Sequence, residues 1–325
     1  MSALRRRVPI PVRVEQSVRL YWTRRRSSVH WGSAAGRLRL MSPSRLLALT
    51  ALAMLAFAGN SLLCRLALTQ GGIDPASFTT IRLASGAIVL WLLARSRRGA
   101  GGHGNWLSAL ALFIYAAGFS YAYVNLSAAS GALLLFGAVQ ATMFGYGLAR
   151  GERLARWQCF GLLLAIAGLI ILLLPGLTAP PLMASLWMLA AGVAWGSYSL
   201  RGRSGGDAVR VTAGNFLRAL PVALALSLLT VKDASVDALG IAYAAASGAL
   251  ASGWGYAIWY SVLPDLRASV AASVQLSVPV IAAFGGILFL DEPMSARLAL
   301  AAAAILGGVA LVIRGASLNS QPPVR

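Results

Sequence analysis

Acidic residues are scarce. The 325 residues include nine Asp and Glu against 28 Lys and Arg. None of the nine falls deep inside an apolar stretch, which leaves a carboxylate proton relay of the usual membrane-pump kind without a candidate. Histidine is scarcer still. His30 lies in an Arg-rich opening segment and His103 in a short polar connection. Neither can pair with a serine inside an apolar helix, and no His-Glu-x-x-His metal sequence is present, so enzyme chemistry is not expected. The two cysteines, Cys64 and Cys159, fall in separate apolar stretches and supply neither a disulfide framework nor a metal site. No cofactor and no metal is therefore expected. The opening segment lacks an apolar run and cleavage site of its own and is not read as a secretory signal. No polar stretch between apolar runs is long enough to fold as a separate domain.

What the chain has in abundance is apolar length. Hydrophobic residues make up 58% and charged ones 11%, far from the roughly half apolar, quarter charged mixture of soluble domains. Apolar runs occupy 46–66, 75–94, 106–124, 127–149, 156–175, 184–200, 211–230, 239–260, 268–290 and 297–314. At about 1.5 Å per helical residue, runs of this kind suit a hydrocarbon layer of roughly 30 Å. The expected fold is an all-α membrane protein with ten transmembrane helices.

The net charge of +19 would suggest nucleic acid in a soluble chain. Residues 1–40 alone hold ten Arg and one Glu, however, and most of the remaining Arg flank apolar runs. With no nucleic-acid motif present, anionic lipid headgroups are the expected partner of the basic segment. The distribution also orients the chain. With the N-terminus cytoplasmic, inner connections beyond the opening segment carry Arg45, Arg95, Arg97, Arg98, Arg150, Arg153, Arg156, Arg201, Arg203, Arg210, Arg267, Arg314 and Arg325. The outer ones carry only Arg65, Lys232 and Arg297. This bias implies an even number of spans and cytoplasmic termini.

Pairing residues at an offset of 136 early and 140 later uncovers an internal repeat. Ser61 matches Ser197, Arg65 matches Arg201 and Arg82 matches Arg218; then Phe144, Gly145, Glu152 and Gly168 match Phe284, Gly285, Glu292 and Gly308. Five spans per half is an odd number, so the halves are expected to enter the membrane in opposite senses, the inverted repeat common in secondary transporters. The expected divisions are a disordered cytoplasmic tail 1–40, repeats 41–178 and 179–315, and a short cytoplasmic tail 316–325. Pro175 and Pro180-Pro181 mark the middle. Met41, followed by the compact leader Ser42-Pro43-Ser44-Arg45, is a candidate native start, with the preceding residues expected to be dispensable for transport. The competing reading is that their Arg run binds anionic lipid.

These elements resemble the EamA-type permeases of the drug/metabolite transporter superfamily. The resemblance rests on Ala58-Gly59-Asn60-Ser61 and Ala194-Trp195-Gly196-Ser197, then Arg82 and Arg218 in the following helices. Gly151-Glu152 and Asp291-Glu292-Pro293 follow, and then the last helices with Gly168 and Gly308. It covers approximately residues 46–314. It implies a ten-helix bundle with a central pathway between the halves and the fifth and tenth helices outermost. It also implies export or exchange of amino acids or other small metabolites. Gln140 stands where many members have proline in the fourth helix, while Pro279 is retained in the second half.

Polar groups inside apolar spans are the substrate-path candidates, because lipid exposure would cost them several kcal/mol. Arg82 and Arg218 either meet an anionic group of the substrate or hold the bundle together through carbonyls. Asn60, Gln140 and Gln275 either touch substrate or bridge helices. Tyr115, Phe119 and Tyr123, at i, i+4 and i+8, share a face of the third helix; Tyr256 and Tyr260 are their counterparts on the eighth, with Trp254 and Trp259 on adjacent faces. Trp195 is a further substrate-path candidate. Tyr115 and Tyr256 are expected to lie nearest a cavity, whereas Trp106, Trp157 and Tyr260 are assigned to an interfacial belt. Ser273 and Ser277 share a face of the ninth helix, where Pro279 either exposes a carbonyl at a gate or merely kinks the helix. Gly145, Gly285, Gly168 and Gly308 are expected to permit close helix approach.

The function expected is a secondary transporter of a small, amphipathic organic metabolite in the bacterial cytoplasmic (inner) membrane. The alternative is a structural or sensory membrane protein. Cargo identity, direction, coupling ion and oligomeric state stay open, a monomer being sufficient.

Overall fold

The computed structural model describes residues 41–96, 101–149, 156–174, 176, 179–201, 207–266 and 274–319. The expectations for residues 1–40, for the Gly151-Glu152 turn and for Ser273 lie outside these. Contacts divide the chain into Met1–Met41 and Ser42–Arg325, and every helix described below belongs to the second unit.

Among the described residues there are ten helical runs and no strand. They are α1 (Pro43–Thr69), α2 (Pro75–Arg95), α3 (Trp106–Tyr123), α4 (Ala128–Ala149), α5 (Arg156–Leu173), α6 (Leu182–Arg201) and α7 (Ala208–Leu229). The eighth, α8, joins Ala238–Ala246, a π-helical stretch Ser247–Trp254, and Gly255–Val262; α9 is Ser277–Leu290 and α10 Ala296–Asn319. Six of them, α1 to α5 and α7, are long and apolar enough to cross a bilayer; α9 and the Ala296–Val312 part of α10 are shorter apolar helices. Their outward faces carry Leu163, Leu229 and Phe284, exposed by 66%, 85% and 72%. Water would penalise such surface by roughly 25 cal/mol per Å², and lipid does not. The molecule is an all-helical, multi-pass membrane protein.

The scarce acids are used at helix starts. Asp74 Oδ1 accepts from Ala76 N and Ser77 N at 2.9 and 3.0 Å, Asp207 Oδ1 from Val209 N and Arg210 N at 3.0 Å, and Asp237 Oδ1 from Gly240 N at 2.6 Å. Asn105 does the same for α3 through Ser108 N, 2.8 Å. Each satisfies N–H groups that a helix leaves unpaired, at the positive end of its dipole. The α1–α2 and α7–α8 turns meet there as well: Asp74 N donates to Ser235 O at 2.9 Å, and Ser235 N to Asp74 Oδ2 at 3.2 Å.

Packing is built on small residues, as expected where lipid removes the hydrophobic drive between helices. The principal pairs are α5 with α10, α2 with α7, α4 with α9, α3 with α6, α1 with α8, α4 with α6, α1 with α9, α2 with the π stretch of α8, and α3 with α7. At α5–α10, a Cβ on Gly161 would lie 2.5 Å from the Gly308 carbonyl oxygen, and one on Gly168 2.8 Å from the Ala304 Cβ. Gly285 faces the Leu62 side chain. Gly145 does not fit the close-approach expectation: among the described residues nothing stands within 4 Å of a Cβ placed there.

Two interruptions shape the interior. The π stretch, Ser-Gly-Ala-Leu-Ala-Ser-Gly-Trp, was not foreseen from apolar periodicity. Its Gly248 lies so close to the Arg82 carbonyl and the Ser85 hydroxyl that a side chain there would collide with both. Single π turns recur at functional sites because they re-aim the side chains that follow. In α9 the helix is broken at Leu276. Pro279 explains the break: it offers no N–H to the carbonyl four residues back, that of Gln275, and its ring crowds it. The Ser277 hydroxyl donates to Val274 O at 2.7 Å, so it bonds back to its own chain.

Candidate functional site

Five helices from both halves, with Gln275 just before α9, surround a cavity of about 270 Å³. Its lining runs from Phe57, Asn60 and Ser61 on α1 and Tyr115 and Phe119 on α3 to Gln140 and Met143 on α4 and Trp195 and Ser199 on α6. Ser252, Tyr256, Trp259 and Tyr260 on α8 and Gln275 just before α9 complete it. The volume is near the roughly 300 Å³ at which small-molecule pockets begin. The cavity extends toward the end of the bundle where α4, α6 and α8 finish and α9 starts.

The walls are aromatic. Trp195 stacks on Tyr256 and on Tyr198, with centroids 5.3 and 5.4 Å apart, and tilts against Tyr115 at 4.7 Å. Phe57 meets Tyr256 and Trp259 at 5.8 and 6.1 Å. Rings fixed by one another in this way offer apolar area without the entropy cost of ordering flexible chains.

Asn60, Tyr115, Phe119, Gln140, Trp195, Tyr256 and Gln275 thus come together on one cavity. Arg82 stands directly behind the wall, 2% exposed. Its Nη2 donates to the Tyr115 hydroxyl at 2.9 Å and its Nε to Ser252 Oγ at 3.5 Å, with the guanidinium 5.1 and 4.9 Å from the Tyr115 and Phe119 ring centres. Tyr260 lines the cavity rather than an interfacial belt, because the π stretch re-aims the end of α8. Trp106 and Trp157 are 63% exposed, and Trp254 also faces outward.

The remaining candidates lie elsewhere. Tyr123 is fully buried at the opposite end, edge-on to Phe119 at 4.7 Å, its hydroxyl donating to Ala128 O at 3.3 Å. Pro279 faces a second, apolar cleft between α4, α9 and α10, and Ser277 is outside the cavity. Arg218 is far from Arg82's corner: it donates to His103 O and Gly214 O and borders a polar recess with Arg95 and Arg210. Register explains the difference. Counted from the caps Asp74 and Asp207, the residue matching Arg82 is Asn215. Asn215 is buried, donates to the Tyr198 hydroxyl and accepts from Asn105 N.

The end of the bundle holding Tyr123 is closed by an ion pair between Arg65, read in the sequence as an outer-connection charge, and Glu292, read as the repeat counterpart of Glu152. Arg65 Nε donates to Glu292 Oε1 at 3.2 Å, and Arg65 Nη1 to Tyr123 O and Val124 O at 2.9 and 2.8 Å. Glu292 Oε2 accepts from Ala128 N at 2.8 Å, capping α4 from another chain segment. One carboxylate and one guanidinium therefore bind α1, the α3–α4 turn and the α9–α10 turn together. Phe57, Ser252 and Trp259 are cavity residues that sequence reading missed. The available signal was spacing: Phe57 stands four residues before Ser61, and Ser252 and Trp259 stand four before and three after Tyr256.

Residues 182–314 match the EamA-like transporter family. The uncharacterized protein PA1977 of Pseudomonas aeruginosa is 58% identical over 275 residues, which are 84% of this chain and 96% of that protein. A crystal structure superposes with a TM-score of 0.59 at 22% identity, spanning 82% of this chain and 98% of its own, a likeness of fold alone. With an all-helical membrane bundle and a cavity between its halves, the chain belongs to the EamA-like transporter family.

Proposed function

We propose that the protein is a secondary transporter that carries a small organic metabolite across the bacterial cytoplasmic membrane by alternating access, with the aromatic cavity as its substrate site. The observation that carries this reading is a cavity lined by both halves, extending toward one end and tied shut at the other by Arg65, Glu292 and Tyr123. A carrier needs such one-sided access, whereas a purely structural bundle gains nothing from an unfilled polar-aromatic interior.

Packing supports two inverted repeats. Exchanging each helix with the one five places along converts α3–α6 into α8–α1, α4–α6 into α9–α1 and α2–α8 into α7–α3. It returns α2–α7, α4–α9 and α5–α10 to themselves. All of these pairs are principal contacts. An odd number of spans per half makes such a two-fold axis lie in the membrane plane. The Arg bias supports an outside position for the shut end and cytoplasmic termini, which makes this conformation inward-facing in the proposed cycle.

Purified protein in proteoliposomes is expected to exchange at least one component of a mixed metabolite library at a rate above protein-free vesicles. Flux indistinguishable from those vesicles across the whole library would favour the structural or sensory reading instead.

A further inference from the structure

The deepest corner of the cavity has an uneven supply of hydrogen-bonding groups. The Tyr115 oxygen accepts from Arg82 Nη2 at 2.9 Å and from Asn60 Nδ2 at 3.3 Å, so both of its lone pairs are engaged and its own proton is left to donate. Ser252 Oγ accepts from Arg82 Nε, which leaves its proton in the same position. The Asn60 oxygen is occupied by the Ser247 hydroxyl at 2.7 Å. Behind them, Arg82 Nη1 is buried with no hydrogen-bond partner. Its other nitrogens bond to neutral hydroxyls, and among the described residues the lining includes no Asp or Glu.

A guanidinium so placed is an uncompensated charge in a region of low dielectric, a costly arrangement that an entering anion relieves. Hydroxyls whose lone pairs are held by a cation become stronger donors, since each bond polarises the next. An ammonium group would meet acceptors that each already hold a donor, with the like charge of Arg82 behind them. The rings of Trp195 and Tyr256, stacked at 5.3 Å, form the wall beside these donors and suit a flat apolar body.

We propose that the cargo is a net-anionic aromatic carboxylate. Its acid group accepts from the Tyr115 and Ser252 hydroxyls with the Arg82 charge behind them, while zwitterions and amines of the same size are rejected at this corner. The proposal rests on the transporter reading for the word cargo, but the site itself can be tested without transport.

Phenylacetate, phenylacetamide, phenethylamine and phenylalanine are close in size and differ in charge. Their binding to the purified full-length protein is read at slightly alkaline pH by quenching of tryptophan fluorescence, for which Trp195 and Trp259 in the lining are reporters. Phenylacetate is expected to bind at least about ten-fold tighter than the other three. In Tyr115→Phe the acid-to-amide ratio falls toward one while amide affinity is kept. In Arg82→Lys part of the ratio survives, and in Arg82→Gln none does. Elution of each variant as a single species shows that it has folded, and Tyr115→Phe keeps the test sharp if Arg82→Gln does not. Equal binding of acid and amide, tighter binding of the amine or of phenylalanine, or a ratio unchanged in Tyr115→Phe would overturn the proposal. The same panel in proteoliposomes separates the two ideas. Exchange of phenylalanine or phenethylamine without the acid rejects anion selection and leaves the transporter standing. Tyr115-dependent binding of the acid with no library compound crossing retains the site and rejects transport.

Discussion

Replacing Glu292 with alanine is expected to raise the labelling rate of Cys64 by an outside, membrane-impermeant maleimide by about ten-fold or more. Cys64 is completely buried between the cavity residue Ser61 and the closing residue Arg65. It becomes reachable when the shut end opens. Glu292 and Arg65 are 12% and 20% exposed, so their pair is largely desolvated. Removing the carboxylate leaves the guanidinium with two backbone carbonyls and orphans Ala128 N at the start of α4. Losing a charged hydrogen bond of this kind costs roughly 2 kcal/mol. Applied only to the conformation with this end shut, that cost moves a two-state equilibrium about thirty-fold. Glu292→Gln keeps a neutral acceptor for Ala128 N and should give a smaller increase. The measurement uses a Cys159→Ala background, because Cys159 is the other free thiol and is exposed. Unchanged labelling of Cys64 in both Glu292 variants would mean that this ion pair does not hold the end shut.

Gly161→Val is expected to lower the melting temperature of the detergent-solubilised protein by about 5 °C or more, while Gly145→Val leaves it within about 1 °C. The two positions look alike in sequence. At Gly161 the new Cβ would be 2.5 Å from the carbonyl oxygen of Gly308, and no rotamer change relieves a collision with backbone, so α5 and α10 must separate. At Gly145 nothing stands within 4 Å. Equal losses at both would show that the penalty comes from placing valine in a helix rather than from the α5–α10 contact.

Arg82 and Arg218 illustrate where pattern matching stops. They pair at the repeat offset and sit within apolar runs, and nothing in the sequence separates them. Arg201 stands six positions before the Asp207 cap, whereas its repeat match Arg65 stands nine before Asp74. That shift brings Asn215 into Arg82's register and moves Arg218 to a recess beside His103. Pro279 reads as an interruption in the sequence, and the break at Leu276 leaves Gln275 on the cavity and Pro279 itself off it.

Sequence alone determined the solvent, the helices and the family. Backbone groups in lipid must be paired within each span, so apolar length converts directly into helices, and caps and Pro/Gly breaks set their ends within a few residues. The aromatic face of α3 was equally legible, because helical spacing fixes which side chains share a side. Tertiary structure decided which of those faces meet. The π stretch that turns Tyr260 inward depends on Gly248 fitting against the backbone of α2, and Arg82's lack of a carboxylate depends on every helix around it. The Arg65–Glu292 pair likewise joins residues 227 positions apart. Local pattern carries no information about such partners, since each charge reads the same whether its opposite lies across the bundle or in water.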